Sequence, residues 1–443
     1  RLMTKSKNHW AARFESLIDP TVIKQRAEIK VPPLVDLAEM PVDLACKRLE
    51  IALETIFHPT TQCVAILHRL FGIAHAHCVV TYPDSNAFLR GIYADEKPLP
   101  SFSPPICLTG LSGVGKSKLL DAFRRLQAPE KEVTVDTSHP PFLLSGAWSA
   151  TIQARSSPKD VLRTLAGMDD SPAELIKRCR KLGFRDGVPF ILADEFQFAT
   201  GSENANARLS QMLFSLSYIG IPFLFAANYS LLHRLQRRPE EEQQRLLSNP
   251  IVLATDAWNS IDWMETIEAQ RVVAPNYLRF DHAGDAKELH AYSAGRKRAM
   301  AQLILIAFRQ QYPNGGVVDI QAIRNAYQSA EYARYKDQAE ILAAQAINNN
   351  YAPKRKDLRC PVPEGLTKAQ QFLEYAINER EEKVAEVELE AVLTRNERKT
   401  VHEIRKKKTD KTIESEKVIQ MSKKQTLSAE ALKQNASWLR KQI

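Results

Sequence analysis

The sequence has no long apolar run: no stretch of 18 apolar residues occurs among its 443 residues. A transmembrane helix needs a stretch of about that length. None is therefore predicted, and no membrane partner is expected. The first residues, from Arg1 to Lys5, also lack the apolar segment of a secretory signal.

Paired cysteines are missing as well. The six cysteines are scattered along the chain, and no two of them form a C-x-x-C pair. This spacing argues against a zinc site and against a disulfide framework. A reducing cytoplasm is the compartment that such cysteine usage favours.

Positively charged residues, by contrast, outnumber negatively charged ones. The net charge is +9, and the sequence pI is about 9.1. Residues 351–443 contain 21 Lys and Arg against 15 Asp and Glu, which gives +6 of that excess. A basic chain permits a polyanionic partner. A solvated helix face explains its most basic run, Arg405 to Lys408, equally well.

The pattern of apolar residues predicts four segments. Residues 1–100 form an N-terminal accessory region. From 101 to 280, short apolar runs alternate with amphipathic stretches, as in a parallel sheet covered by helices. Residues 281–350 have helical spacing and predict a small all-helical lid. Residues 351–443 are rich in charge and predict a helical or partly disordered basic tail.

A phosphate-binding loop is the most specific motif. Residues 110–117 read G-L-S-G-V-G-K-S and fit G-x-x-x-x-G-K-[ST] in full, between an apolar strand and a helix-forming stretch. The motif predicts ATP bound with Mg²⁺: backbone N–H groups face the phosphates, the lysine bridges them, and the serine ligates the metal. The predicted nucleotide-binding residues are Gly110, Gly113, Val114, Gly115, Lys116, Ser117 and Lys118.

Polar side chains follow two later apolar runs. The run that begins at Val188 ends in Asp194 and Glu195, and the next one ends at Asn228. Ligands bind at the carboxyl ends of strands in such sheets. We therefore predict that Asp194 holds Mg²⁺ together with Ser117, that Glu195 polarises the attacking water, and that Asn228 orients this water.

Arginines after the last of these runs are candidates for stabilising charge on the γ-phosphate of a neighbouring subunit. We favour Arg245, which comes just before the next apolar run. Farther along, Arg296 and Arg298 begin a predicted helix, and one of them is expected to reach the nucleotide of its own subunit. The other candidates for the role across the subunit interface are Arg234, Arg237 and Arg238.

The order of these parts resembles that of AAA+ ATPases. Three local stretches narrow the resemblance to TnsC and TniB proteins, the ATPase regulators of Tn-seven-type transposons, with MuB as a more distant relative. Together they place the resemblance over roughly residues 60 to 335. The stretches are Phe88-Leu-Arg-Gly-Ile-Tyr93 followed by Lys97-Pro98, Asp194-Glu-Phe-Gln197, and Tyr218-Ile-Gly-Ile-Pro222.

The resemblance implies a function that composition does not reveal. Such proteins assemble with ATP into rings or filaments on duplex DNA in the bacterial cytoplasm. They connect a target-selection protein of the TniQ type to the transposase and endonuclease subunits. Asn228 falls at the sensor position. Arg245 falls near the arginine finger, although its surroundings differ from the usual R-R-F form. Arg90 and Tyr93 are expected near the adenine or the subunit interface.

The resemblance also implies that basic residues after the second strand of the sheet line a central channel and contact DNA. They would meet phosphates without reading bases. Solvated helix faces explain most of these residues equally well. They are Arg155, Lys159 and Arg163, with Arg178, Arg180 and Lys181 farther on, of which Arg178 and Lys181 are favoured.

Two other classes of function remain open on the sequence. One is an AAA+ or related switch, such as an initiator, a helicase loader or a defence NTPase. An initiator would be expected to carry a helix-turn-helix domain after the lid, and none is evident in residues 351–443. The other is an adaptor that binds nucleotide without turnover, against which the intact Lys116, Ser117, Asp194 and Glu195 argue.

Overall fold

A computed structural model of the chain describes residues 8–127, 131–151, 156–194, 205–347 and 352–362. Of the predicted basic tail, residues 352–362 are described, and the rest lies outside the described residues. So do two of the predicted site residues, Arg155 and Glu195.

A parallel sheet forms the centre of the α/β part. Its five strands run in the order β4-β5-β6-β1-β7, and all four pairings are parallel. A separate antiparallel hairpin pairs β2 with β3. The strands are β1 (Ile106–Thr109), β2 (Lys131–Val133), β3 (Phe142–Leu144), β4 (Trp148–Thr151), β5 (Ile191–Asp194), β6 (Phe223–Ala227) and β7 (Pro250–Val252).

The central position of β1 follows from its residues. Every residue of β1 and of β6 is buried, as expected for apolar strands covered on both faces. After β1 the chain crosses to β4 at one edge, and it returns to the other side of β1 as β7. The strand order thus reverses beside β1. Ligands of open α/β sheets bind at such a point, beyond the carboxyl ends of the strands.

Helices flank this sheet, and local signals set their ends. α7 begins with a capping box between Ser157 and Asp160, with Pro158 in its first turn, and it ends at Gly167 in the left-handed conformation. α6 buries Leu119 and Phe123 on its apolar face. These helices are α6 (Lys116–Leu126), α7 (Pro158–Ala166), α8 (Pro172–Arg185), α9 (Ala205–Ser217), α10 (Tyr229–Leu235) and α11 (Glu240–Leu246).

The remaining helices are divided between two hydrophobic cores. The N-terminal helices are α1 (His9–Ala12), α2 (Pro20–Ala27), α3 (Val42–Thr55), α4 (Thr61–Thr81) and α5 (Ser85–Tyr93). The later helices are α12 (Ile261–Arg271), α13 (Ala286–Ser293), α14 (Lys297–Gln311), α15 (Ile320–Gln328) and α16 (Ala333–Ile347).

Apolar residues of α1, α2, α4 and α5 join the core around the sheet. Those of α3 join the core of the later helices instead. The first 60 residues are thus shared between the α/β part and the helical part. The predicted fold class, a parallel central sheet flanked by helices and followed by an all-helical region, is confirmed. The predicted domain boundaries stay predictions.

The helix α4 is long and apolar enough to cross a membrane by length and composition alone. No other helix of the described residues meets that test. Its buried side chains, among them Leu67, Leu70 and Phe71, pack in the core around the sheet. The core helix of a globular domain has the same length and composition, so the feature gives only weak evidence of a membrane span.

The residues directly after the first resembling stretch, Leu99 and Pro100, meet the third stretch, Tyr218 to Pro222. The guanidinium of Arg180 donates to the carbonyls of Leu99 (2.8 Å), Pro100 (2.8 Å) and Ile219 (3.1 Å). Gly220 has φ +82°, and a Cβ there would lie 2.1 Å from the carbonyl oxygen of Pro100. Glycine is therefore required at this turn, which leads into β6.

Candidate nucleotide-binding site

The phosphate loop connects β1 to α6. Gly113 and Gly115 have φ of +83° and +115°, a region that favours glycine and turns successive N–H groups to one side. A Cβ at Gly110 would lie 2.4 Å from the carbonyl oxygen of Leu253. The absence of a side chain at Gly110 therefore allows the loop to pass close to the chain after β7. The N-terminus of α6 then adds its partial positive charge.

The side chain of Lys116 is held inside the loop. Its ammonium donates to the carbonyls of Gly110 and Leu111, both at 2.9 Å, and to the Oδ1 of Asn228 at 2.8 Å. The residue is only 9% exposed. A buried ammonium needs such partners. An incoming phosphate would have to replace some of them.

Most of the predicted nucleotide- and metal-binding residues line one cavity of about 340 Å³. Ser117 lines it from the loop, Asp194 from the end of β5 and Asn228 from the end of β6. A hydroxyl and a carboxylate beside the phosphate loop are hard oxygen donors that suit Mg²⁺. Ser117 and Asp194 thus fit the metal expected from the sequence. The predicted base, Glu195, lies outside the described residues.

The helical part closes the cavity over the loop. The backbone N–H of Arg298 donates to the carbonyl of Gly113 at 3.1 Å, and a Cβ at Gly113 would lie 2.9 Å from the Cβ of Arg298. Lys297 and Arg298 both line the cavity. The first turn of α14 is therefore seated on the phosphate loop and brings two cations to it.

Arg296, in contrast, does not line this cavity. It is 2% exposed, and its guanidinium donates to the carbonyls of Ser293 and Tyr335 and to the side chain of Gln338. Burial lowers its pKa. The structure thus places Arg296 as a packing residue of the helical part, and of the two predicted arginines it brings only Arg298 to the cavity.

Sequence reasoning missed the far wall of the cavity. It consists of N-terminal residues around the end of α3, including Glu54, Phe57 and His58, and of Thr266 and Gln270 on α12. The ammonium of Lys118 donates to the carbonyl of Glu54 across this boundary. No motif marks these residues, because their position depends on packing between distant segments.

Several predicted residues lie outside the cavity lining. Arg245 is exposed on α11, with its guanidinium carbon 6.0 Å from the centroid of the Phe102 ring. Tyr93 is 71% exposed and hydrogen-bonds to His139 at 2.7 Å, and Arg90 does not line the cavity either. An arginine that acts on the nucleotide of a neighbouring subunit must lie at the surface of its own subunit. The role of Arg245 across the subunit interface therefore stays a prediction.

The predicted DNA-contacting residues lie on α7 and α8. Lys159 pairs with Asp169 at 2.8 Å, and Arg163 pairs with Asp160 at 3.3 Å. Arg178 and Lys181 are exposed. Arg180 is half-buried instead and donates to the carbonyls of Leu99 and Pro100. Acidic neighbours offset part of the positive charge of α7, and Lys159, Arg163, Arg178 and Lys181 stay candidates only.

No protein-family model matches the chain, and no curated protein matches it. It is similar in outline to solved structures of low sequence identity. A structure of the Aeropyrum pernix ORC1 protein in complex with DNA is 18% identical, with a TM-score of 0.38, over 63% of this chain and 67% of that one. The Aeropyrum pernix ORC2 protein is 13% identical, with a TM-score of 0.36, over 69% and 84%.

A katanin structure concerned with self-assembly is also similar in outline. It is 13% identical, with a TM-score of 0.33, over 62% of this chain and 87% of that one. The fold assignment itself comes from features of this chain. The parallel strand order, the phosphate loop beyond β1 and the helical part seated on that loop identify the fold as an AAA+ P-loop fold.

Proposed function

We propose that the protein is a magnesium-dependent ATPase. One observation carries the proposal: Lys116 of the phosphate loop donates a hydrogen bond to Asn228, and Asp194 lines the same cavity. Three sequence-distant polar groups thus meet beside a loop whose backbone suits phosphate. This is the arrangement expected for hydrolysis of a nucleoside triphosphate.

Each residue has a defined role in this proposal. The loop N–H groups and Lys116 bind the phosphates, and Ser117 and Asp194 would hold Mg²⁺, which neutralises charge on the phosphate oxygens when bound. Lys297 and Arg298 add positive charge from the helical part. Glu195 would take the proton of the attacking water, and Asn228 would orient that water.

We further propose that this ATPase regulates DNA transposition in the bacterial cytoplasm. Support comes from the three stretches that resemble TnsC and TniB proteins. Arg180 joins the third of them, at Ile219, to Leu99 and Pro100, which directly follow the first. On this proposal the protein forms homo-oligomers on duplex DNA and connects a target-selection protein of the TniQ type to transposase and endonuclease subunits. Arg245 would act across the subunit interface.

Negative-stain electron microscopy with matched binding assays tests both proposals. The wild type, Lys116→Ala and the control Lys177→Ala are each mixed with duplex DNA and a slowly hydrolysed ATP analogue, with DNA and ADP, and with the analogue alone. Lys177 is exposed on α8 and pairs with Glu174. We expect rings or filaments only with DNA and analogue, and only for the wild type and Lys177→Ala.

Measurements of ATP affinity and turnover distinguish the ATPase proposal from the proposed role in transposition. Lys116→Ala should bind ATP about 10- to 100-fold more weakly, because a charge-assisted hydrogen bond contributes about 1.5–3 kcal/mol. Normal ATP binding by that variant would contradict the ATPase proposal. Normal ATP binding and turnover by the wild type, without assembly on DNA, would contradict only the role in transposition and would favour an AAA+ switch of another class.

A further inference from the structure

A histidine and two carboxylates meet at the junction of the N-terminal segment and α12. His58 follows Phe57, whose backbone exchanges two hydrogen bonds with Ile29 (2.9 and 3.1 Å). Asp262 and Glu265 stand three positions apart in α12 and so share one face of the helix. One ligand atom from each of His58, Asp262 and Glu265 lies within 4.8 Å of the others. Among the described residues, this is the one group of at least three such side chains that meets this distance.

The Nε2 of His58 has a carboxylate close by but makes no hydrogen bond to the described residues. Its side chain is 10% exposed, and its Nε2 lies 3.0 Å from the Oε2 of Glu265. The ring N–H is nevertheless not aligned with that oxygen, and among the described residues Nε2 has no hydrogen-bond partner. A buried polar atom in this state needs an explanation.

A metal ion accounts for both the short distance and the misalignment. Nitrogen and oxygen ligands of Zn²⁺ lie about 2.0–2.2 Å from the ion, so two ligands in tetrahedral geometry lie about 3.3 Å from each other. The ring nitrogen and the carboxylate oxygen are near that separation. Their lone pairs would both point at the ion, and no N–H would need to face the carboxylate.

The surrounding charge favours a cation. A further carboxylate lies close by: the Oε1 of Glu28 is 3.6 Å from the Nδ1 of His58. Against these acids, the ammonium of Lys24 donates at 3.3 Å to the Oε2 of Glu265, the same oxygen that lies near His58.

The backbone also fixes one of the ligands. The N–H of Thr61 donates to both oxygens of Asp262 at 3.0 Å, and the Thr61 hydroxyl donates to its Oδ1 at 3.1 Å. Outer partners of this kind orient the carboxylates of metal sites. The carboxylate of Asp262 is thus held in place before any ion binds.

We propose that His58, Asp262 and Glu265 bind a divalent transition-metal ion, best matched by Zn²⁺, at a site separate from the phosphate loop. One imidazole and two carboxylates suit zinc among the common biological cations. The ion would join the N-terminal segment to α12. Since His58 and Thr266 both line the nucleotide cavity, it would brace the far wall of that cavity.

Metal titration of the full chain tests this site. The protein is stripped with a chelator, and Zn²⁺ binding is followed by calorimetry with excess Mg²⁺ present; Co²⁺ then serves as a spectroscopic probe. The variants are His58→Ala and the shape-conserving Glu265→Gln. The control is His282→Ala, since His282 also faces two carboxylates, Glu268 at 3.5 Å and Asp281 at 3.7 Å, but is 45% exposed.

We expect one tightly bound Zn²⁺ per chain and visible Co²⁺ absorption bands. Both site variants should weaken Zn²⁺ binding by at least about 10-fold, while His282→Ala leaves it unchanged. Circular dichroism checks that each variant is folded. If His58→Ala does not fold, the Zn²⁺ affinity of Glu265→Gln alone tests the proposal. The proposal is overturned if the wild type takes up no Zn²⁺, if Glu265→Gln binds it as the wild type does, or if His282→Ala weakens binding equally.

Discussion

At the scale of single residues, the contact between Lys116 and Asn228 connects two proposed roles. The 2.8 Å hydrogen bond makes Asn228 a partner of the phosphate-binding lysine as well as a candidate for orienting water. These roles predict different kinetic effects when the amide is removed. A residue that acts on the water changes turnover, whereas one that only positions Lys116 changes nucleotide affinity.

We expect Asn228→Ala to lower the rate of ATP hydrolysis by about 100-fold, the usual effect of losing one polar group at a reacting centre, with little change in ATP affinity. Steady-state turnover and equilibrium binding measure the two effects separately. Asn325→Ala, on the exposed side of α15, is the matched control. A variant that only weakens ATP binding would assign Asn228 to positioning Lys116.

At the same scale, the pKa of His77 predicts how the free energy of unfolding depends on pH. Burial, and to a lesser extent the charge of Arg13, lower the pKa of His77 to about 4, against about 6.5 for the unfolded chain. Between these values the unfolded state binds the extra proton. The stability present above pH 6.5 is therefore lost as the pH falls toward 4, by at most roughly 3 kcal/mol.

Urea denaturation at several pH values, comparing the wild type with His77→Gln, isolates this contribution from that of the carboxylates. The variant should lose less stability than the wild type between pH 6.5 and 4. The control is His68→Gln, since His68 is exposed on the same helix. Equal slopes for the wild type and His77→Gln would contradict the assignment.

At the scale of elements, the turn before β6 depends on one glycine. Gly220→Ala combines a positive φ with a contact of 2.1 Å to a backbone oxygen, so the turn must move. We expect a loss of more than about 1 kcal/mol in the free energy of unfolding. Gly72→Ala is the control: it lies within α4 with nothing within 4 Å of the added Cβ, and it should be neutral or slightly stabilising.

The elements also show how far the sequence could predict the structure. The phosphate loop and the strand ends at Asp194 and Asn228 were predictable, because residues adjacent in sequence determine them. Consecutive residues at the start of a helix point in different directions. Sequence alone therefore could not distinguish the buried Arg296 from Arg298, which lines the cavity. The sequence also did not predict the cluster of His58, Asp262 and Glu265. Cysteine spacing, on which the search for a metal site rested, gives no information about a site made of histidine and carboxylates.

At the scale of the whole molecule, the nucleotide cavity lies between the two hydrophobic cores. Phe57 and Val114 of the core around the sheet line it, and so does Leu53 of the helical core. Sequence reasoning treated residues 1–100 as an accessory region, because the packing partners of α3, such as α14, lie far along the chain. A ligand that fills this cavity contacts both cores.

Nucleotide binding should therefore stabilise the folded chain as a whole. At a concentration 100 times its Kd, an ATP analogue with Mg²⁺ adds about 2.7 kcal/mol to the free energy of unfolding. Differential scanning calorimetry should then show a higher Tm for the transition of each core. Lys116→Ala, which binds ATP about 10- to 100-fold more weakly, should gain only roughly 0.4–1.4 kcal/mol at the same concentration, with correspondingly smaller increases in Tm. An increase confined to one transition would mean that the ligand contacts only one core, and the placement of the cavity between the two would then be wrong.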